Sequence, residues 1–386
     1  MGAPQSRLFE TAKGLRNKDW EIRILTSMPN YPSGKIFKEF RNKFFMTSDV
    51  ENLVTWRYWL YASNSKKSIP RIISMVSFSL AVLFSFRRVK KFKPDYIITE
   101  SPPLTLGLSG LFLSKWSRAK HVLNVSDIWP LSAYELGAIS KGFLYNKLEQ
   151  LEKFLYRNSF ACMGQSQQIV DHLLQSETKR AHLYRNGVDF ERFDDVRPNS
   201  LPPQQSGIKI VYAGLLGLAQ GVFNLCKNIN FSELNAEFHI YGDGAEKSEI
   251  AEYLNKNIIK NIFLHTAVTR NDVPKTLMQY DITIIPLIKP IFGAVPSKIY
   301  EAMAAGLPII FSGGGEGEYI IKQYKIGWVC APSNFESIRE TILKIASMDT
   351  AELLLMKENC INAAREVFDR KIQLERLNNF LSANIS

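Results

Sequence analysis

Cysteine is scarce. Four occur in 386 residues, Cys162, Cys226, Cys330 and Cys360, and none has metal or redox spacing. That excludes a disulfide framework and a CxxC centre, and it reads as small buried hydrophobes in a reducing cytosol. No segment is apolar for long enough to cross a bilayer. The stretch IISMVSFSLAVLFSF, residues 72–86, has 15 residues, short of the roughly 20 that a spanning helix needs. The first twenty residues are polar, so no secretory signal is read there. The full G-x-G-x-x-G of a dinucleotide fingerprint and the lysine of a P-loop are missing too, which argues against NAD and ATP. No basic–aromatic interleaving of the RRM kind is present, which argues against a nucleic-acid partner.

Acidic residues are short in one half only. Residues 1–185 hold 28 Lys and Arg against 14 Asp and Glu, a balance of +14, while the remainder carries −3 of the net +11. An excess confined to one half points to an anionic membrane surface or a phosphorylated substrate. Its sharpest cluster, Arg87, Arg88, Lys90, Lys91 and Lys93, follows the apolar stretch. A buried helix ending in cations is the plain reading, and a helix lying in the membrane surface is the other.

What is present is a strand–helix rhythm. EIRILTSM, DYIIT, KHVLNVSD and SFACMG form one series of short apolar runs, and IKIVYAG, EFHIYGDG, NIFLHT, DITIIPL, LPIIFSGGG and IGWVCAPS a second. Helical patterns separate them, so the expectation is α/β, with two doubly wound Rossmann-like domains facing a cleft. The boundaries read as a first domain over 1–190, a turn-rich linker over 191–206 and a second domain over 207–370. A C-terminal helix over 371–386 would pack back towards the first domain. A doubly wound domain should open with a strand and a Gly-rich turn, yet SRLFETAKGL already has helical spacing. The expectation is that the first strand is missing from this sequence, or that another segment fills its place.

Three Gly-rich turns follow strands of the second half: Gly214, Gly217 and Gly221, then Gly242 and Gly244, then Gly313 to Gly315. Glycine there lets backbone amides approach an anion, and βα geometry alone also calls for it. Beside them lies FGAVPSKIYEAMAAGLPII, residues 292–310. Pro296 is placed to start a helix. Ser297 and Lys298 then sit at its mouth, where a cation is misplaced unless an anion shares the site. Glu301 is one turn further in. Lysine for phosphate and carboxylate for a ribose diol fits the spacing better than a surface ion pair.

The stretches PSKIYEAMAAGLPII, IVYAGLLGLAQG, IYGDG and RNDVPKTLMQYDITIIPL together resemble the retaining glycosyltransferase family four, of GT-B fold. TSMPNYPSGKIF, ESPPLTLGLSG and NVSDIWPLSAYELG are similar to its bacterial O-antigen and capsule members, such as N-acetyl-L-fucosamine transferases. The resemblance implies a nucleotide-linked donor, usually UDP-linked, no cofactor and no active-site metal. It implies an acceptor saccharide on polyprenyl diphosphate at the inner face of the cytoplasmic membrane. It also implies that Glu301 holds the ribose and Lys298 the diphosphate. Two departures stand out: the acid eight residues before Glu301 is Gly293 here, and the Arg and Lys of the first Gly-rich loop are Leu215 and Gln220. Phosphate binding would then lean on Lys298, on amides from Gly217 and Gly293 onward and on Arg270. A nucleotide-sugar epimerase of the same architecture and an inactive nucleotide-sugar-binding subunit are the alternatives.

In the first half, Asp127 ends a strand and is placed to orient or deprotonate an acceptor hydroxyl, though a helix-cap role is equally open. Glu100 in ITESPP is similarly placed. Asn30 and Tyr31 in MPNYPSG are candidates for the acceptor side, and His121, inside a strand, reads as structural.

Overall fold

The computed structural model describes residues 3–31, 33–65, 68–197 and 207–385. The chain divides into one unit of Met1–Arg185 with Leu374–Ser386 and a second of Asn186–Gln373. The first unit begins with α1 (Ala3–Arg16), β1 (Ile24–Ser27), β2 (Phe45–Val50), β3 (Leu53–Tyr58), α2 (Ser68–Leu83) and α3 (Phe86–Phe92). It continues with β4 (Tyr96–Ser101), α4 (Leu104–Ser117), β5 (Lys120–Val125), α5 (Leu131–Glu135) and α6 (Phe143–Asn158). β6 (Ala161–Gly164), α7 (Gln167–Gln175) and β7 (Ala181–Leu183) follow.

β4, β5, β6 and β7 form one parallel sheet in that order, and β1, β3 and β2 form another. The β2–β3 hairpin was not foreseen in the sequence. Its turn is Glu51–Asn52, both left-handed with φ of 49° and 62°, the geometry that matches strand twist in a two-residue hairpin. The apolar stretch at 72–86 departs from expectation. It is not one buried helix: α2 ends at Leu83, and α3, bent by 52°, carries the cations. Ala81 and Val82 are buried, whereas Ile69 is 71% and Phe84 62% exposed. Among the described residues no single helix is long and apolar enough to cross a membrane; α2 and α3 pass such a test only together, as a bent pair.

The second unit holds α8 (Glu191–Asp194), β8 (Ile208–Ala213), α9 (Val222–Asn228), β9 (Ala236–Tyr241), α10 (Lys247–Asn257) and β10 (Ile262–His265). After them come α11 (Val273–Leu277), β11 (Ile282–Pro286), α12 (Ser297–Ala305), β12 (Ile309–Ser312) and α13 (Glu316–Tyr324). β13 (Gly327–Cys330), α14 (Phe335–Ala346) and α15 (Thr350–Glu366) complete it. Its sheet is parallel, in the order β10-β9-β8-β11-β12-β13. Helices cover both faces, so the central strand β11 is buried at every position. Burying each of Ile282, Ile284 and Ile285 contributes about 1.5–3 kcal/mol.

The boundary between the units lies at Arg185 and Asn186, ahead of the expected linker. Val188, Phe190 and Phe193 bury in the second unit's core, so the turn-rich segment is anchored there as far as Arg197. Residues 198–206 of the expected linker lie outside the described ones. α16 (Arg370–Ser382) begins in the second unit and ends in the first. There Leu377 and Leu381 pack with Leu15, Val122, Met163 and Tyr184. All four cysteines are buried and free, and burial pushes the Cys162 and Cys226 thiols up to about 12.

Candidate functional site

Strand order in the second unit's sheet reverses between β8 and β11, the place where open parallel sheets collect ligands. The loops leaving the two strands touch: the Ile288 amide donates to the Ala219 carbonyl at 3.0 Å. The turns after β8 and β9 are laced as well. Gly214 N–H donates to Tyr241 O at 2.8 Å and Leu216 N–H to Asp243 O at 2.9 Å, around Gly242.

Helix α12 starts at Ser297 because Pro296, at ψ 124°, is its cap, one position earlier than expected, and it stops at Gly306 with φ 71°. Ile299, Tyr300, Ala302, Met303, Ala304 and Ala305 are buried. That leaves Ser297, Lys298 and Glu301 on the side not taken up by packing. The Lys298 stem crosses the backbone of Gly214, where a Cβ would stand 2.1 Å from Cε. Only glycine leaves room for that lysine. Its ammonium lies 5.2 Å from the centre of the Tyr212 ring. Burial pulls the Lys298 pKa down, with Glu301 opposing. For Glu301 burial pushes the carboxyl up, while Lys298, Arg192, Arg270 and Arg370 pull it back. Arg192 Nη2 donates to the carbonyl of Arg270, which ties two of these arginines together.

Gly293 is buried, with φ 74°. A side chain there would cost about 1–2 kcal/mol, so the backbone itself calls for glycine where the resemblance has an acid. In the first Gly-rich loop, Gln220 Oε1 lies over Gly217, and Gly221 caps α9. Of the amides from Gly217 onward, the two at the start of α9 are not open to a diphosphate. The Glu246 carboxylate already accepts from Val222 N–H at 3.1 Å and Phe223 N–H at 3.4 Å. A groove of about 510 Å³ near Lys227, Asn230, Tyr253 and Asn261 lies at the carboxyl ends of α9 and α10 and includes none of these groups.

In the first unit, Glu100, Ser126, Asp127 and Gln165 gather at the carboxyl ends of β4, β5 and β6. Arg7 of α1 donates to Glu100 Oε1 at 2.7 Å, Gln165 Oε1 at 2.7 Å and Ser126 Oγ at 2.5 Å. Asn124 donates to the other oxygen of Glu100 at 2.6 Å, and Ser126 also donates to Glu100. With both oxygens engaged, Glu100 holds this strand edge together, a correction to its placement among groups that act on an acceptor. Asp127 accepts no hydrogen bond among the described residues. Burial pushes its pKa up, and Arg7 draws it down. Asn30 shapes its own turn, donating to Met28 O and accepting from Gly34 N–H, both at 2.8 Å. Tyr31 is 62% exposed. His121 sits between Ser159 and Thr99, and burial lowers its pKa to about 4, as a structural histidine should show.

Two family models account for nearly the whole chain. One, glycosyl transferases group 1, matches residues 195–367, and the other, the glycosyl transferase 4-like domain, matches residues 2–187. The chain belongs to the GT-B glycosyltransferases. Among its relatives is WcaI of Escherichia coli (strain K12), provisionally assigned to colanic acid biosynthesis, 22% identical over 95% of this chain and 92% of its own. An Escherichia coli UDP-Gal:alpha-D-GlcNAc-diphosphoundecaprenol alpha-1,3-galactosyltransferase is 20% identical over 76% of this chain and 77% of its own. The solved structure of Anabaena HepE, in complex with UDP and glucose, is similar with a TM-score of 0.67 at 14% identity, over 99% of this chain and 96% of that one.

Four groups in this glycosyltransferase escaped the sequence reading. Arg192 was hidden in the presumed linker and Arg370 at the head of the last helix. Glu246 follows YGDG with no pattern that marks it, and Arg7 is one of 28 cations in residues 1–185. None of the four carried a local signal of its role: Arg7, next to Leu8, lies about 100° round the helix from the apolar line of Leu8, Ala12 and Leu15.

Proposed function

We propose that this glycosyltransferase moves a sugar from a UDP-linked donor, with retention of configuration, to a saccharide carried on polyprenyl diphosphate. The product would be a bacterial surface polysaccharide such as O-antigen or capsule. The carrying observation is the α12 motif: Lys298, lodged across the Gly214 backbone at the mouth of the helix, and Glu301 one turn on, whose carboxyl Lys298, Arg192, Arg270 and Arg370 draw down. A nucleoside diphosphate suits this arrangement: its ribose hydroxyls donate to Glu301, and its phosphates meet the cations in charge-assisted bonds. As the glycosidic bond breaks, charge builds on the leaving diphosphate, and Lys298 with the start of α12 stabilises it without a metal. HepE, solved with UDP, and the relative that uses UDP-Gal with a diphosphoundecaprenol-linked acceptor support the donor and acceptor classes.

Asp127 is the group we assign to the acceptor hydroxyl, since its carboxylate accepts no hydrogen bond from a described side chain and burial, opposed by Arg7, favours its taking a proton. The apolar face of α2 extends over Leu108, Phe112 and Trp116 of α4, all exposed. Lys90 lies 4.9 Å from the Trp116 ring centre at the border. An apolar ridge with a cationic border suits peripheral attachment to an anionic inner leaflet. The test is incubation with a panel of UDP-sugars, UDP-N-acetyl-L-fucosamine included, with and without a polyprenyl-diphosphate saccharide. Transfer that requires the acceptor is expected. Product without acceptor would mean an epimerase, and UDP binding without turnover a binding subunit; either result overturns the reading.

A further inference from the structure

The chain on either side of Asp127 is pinned, while no described group donates to the Asp127 carboxylate. Ser126, just before it, is tied in three directions. Its amide donates to Ser101 O of β4 at 2.9 Å. Its hydroxyl accepts from Arg7 and donates to Glu100. Its carbonyl accepts from Gln165 Nε2. Ile128, just after Asp127, is 1% exposed, and its carbonyl accepts from Ser132 N–H at 2.8 Å. The Asp127 backbone is therefore fixed from both ends, and its side chain is left for another molecule.

Gln165 supplies its tie from a side chain where the sheet stops. The β5–β6 ladder ends at the pair Val125 and Gly164. Past it the chain leaves β6 for α7, which Ser166 caps by accepting from Ile169 N–H at 3.2 Å. Gln165 lies between, opposite Ser126, and its amide carries the ladder one bond further than the backbone does. Only one orientation of that amide fits. Oε1 accepts from Arg7 Nη1 at 2.7 Å, and Nε2 donates to the Ser126 carbonyl. Turned over, it would set donor against guanidinium and acceptor against carbonyl. Arg7 thus locks the amide, and Glu100 holds Arg7 in turn at 2.7 Å. With the Ser126 hydroxyl on Glu100, these bonds close a ring on the residue before Asp127. We infer that Gln165, given the acceptor role assigned to Asp127, is its positioning residue and acts through the Ser126 carbonyl. A misplacement of about 1 Å at a reacting group costs on the order of 100-fold in rate, so this bond governs transfer without touching a substrate.

A double-mutant cycle on the full chain tests this, read as kcat with the UDP-sugar of the panel that is transferred. Gln165→Met, of similar size but without either bond, should lower kcat by about 100-fold and leave calorimetric UDP binding unchanged. Gln165→Glu keeps the bond from Arg7 but, ionised, cannot donate to the carbonyl, and should lose as much. In the Asp127→Asn background Gln165→Met should cost about twofold at most, since no carboxylate is left to place. Equal losses in both backgrounds would make Gln165 merely structural and overturn the inference. So would a Gln165→Glu variant as active as the wild type. Full transfer by Asp127→Asn alone would instead remove Asp127 from the acceptor, and the positioning role with it. Amide hydrogen exchange over residues 125–128 needs no turnover and reads the same bond even where no sugar is transferred. Both Gln165 variants should speed it about 5-fold, on the order of one hydrogen bond lost; exchange unchanged in both would also overturn the inference.

Discussion

Replacing Arg7 with methionine should cost the first unit about 3–5 kcal/mol at pH 8, because it leaves the Glu100 carboxylate charged and buried without its cation. The side chains are only 13% and 16% exposed and 2.7 Å apart, so water cannot replace the guanidinium. Two neutral acceptors, Gln165 and Ser126, lose a donor as well. A typical domain has about 5–15 kcal/mol in all, so the loss is a large share. Its pH dependence follows from Glu100. Burial holds that carboxyl above its usual value, with Arg7, then Ser126 and Asn124, pulling it back. The native state thus binds the proton more tightly than the unfolded chain. The stability tied to this group falls as pH rises from the ordinary carboxylate value through the native one. Without Arg7 the native value rises further, so the deficit of Arg7→Met should grow with pH and shrink towards pH 5. Arg7→Met with Glu100→Gln should recover the part due to Glu100, since that buried charge is gone, while Asp127, which Arg7 also draws down, keeps its own. Urea unfolding followed by tryptophan fluorescence reads the right unit, because Trp20, Trp56, Trp59, Trp116 and Trp129 lie in the first and only Trp328 in the second. A deficit below about 1 kcal/mol, or one equal at pH 5 and pH 8, would refute the reasoning.

Glu301→Ala should weaken UDP binding by the roughly 1.5–3 kcal/mol of hydrogen bonds to a charged acceptor; calorimetric titration showing equal dissociation constants would remove Glu301 from the ribose. Gly214→Ala should displace Lys298 and lower transfer at least as far as Lys298→Ala does, because the added Cβ would overlap Cε; full activity in this variant would mean that the lysine does not work from where it lies. Neutralising Arg87, Lys90 and Lys91 should release the protein from anionic liposomes, each contributing about 1 kcal/mol, with sedimentation falling as salt rises; binding indifferent to salt counts against an electrostatic border. Arg88 belongs to a separate variant, since its guanidinium is 3.7 Å from the centre of the Phe45 ring and its loss should disturb packing.

The strands of the second unit and the α12 motif were legible because period and turn chemistry are local. ITIIP, buried on both faces, reads as a continuous apolar run, and Pro296 and Gly306 mark the two ends of the helix that follows it. Arg192 and Arg370 were not legible, because nothing in their neighbourhood reports that the fold brings them to Glu301 from 109 and 69 residues away. The role of Glu246 was hidden for the same reason: its partners are amides 24 and 23 residues earlier. The hairpin β2–β3 was missed because its turn is Glu-Asn rather than Asn-Gly or Asp-Gly. α2 misled because a mean over 15 residues conceals which side of the helix is wet.

The course of α16 has a consequence for how the molecule is made. Leu377 and Leu381, which close a core with Leu15 and Tyr184, are translated only after the whole of the second unit. Trp20 waits for Asn378 and Tyr96 for the carbonyl of Leu381, each to form a hydrogen bond of 2.8 Å. The second unit, by contrast, lies between Asn186 and Gln373 and holds all its own strands before that point. Synthesis usually completes units in the order they emerge, but here the unit translated first is finished last. A nascent chain paused before Leu374 would therefore carry a folded second unit behind a first whose core still lacks its closing helix.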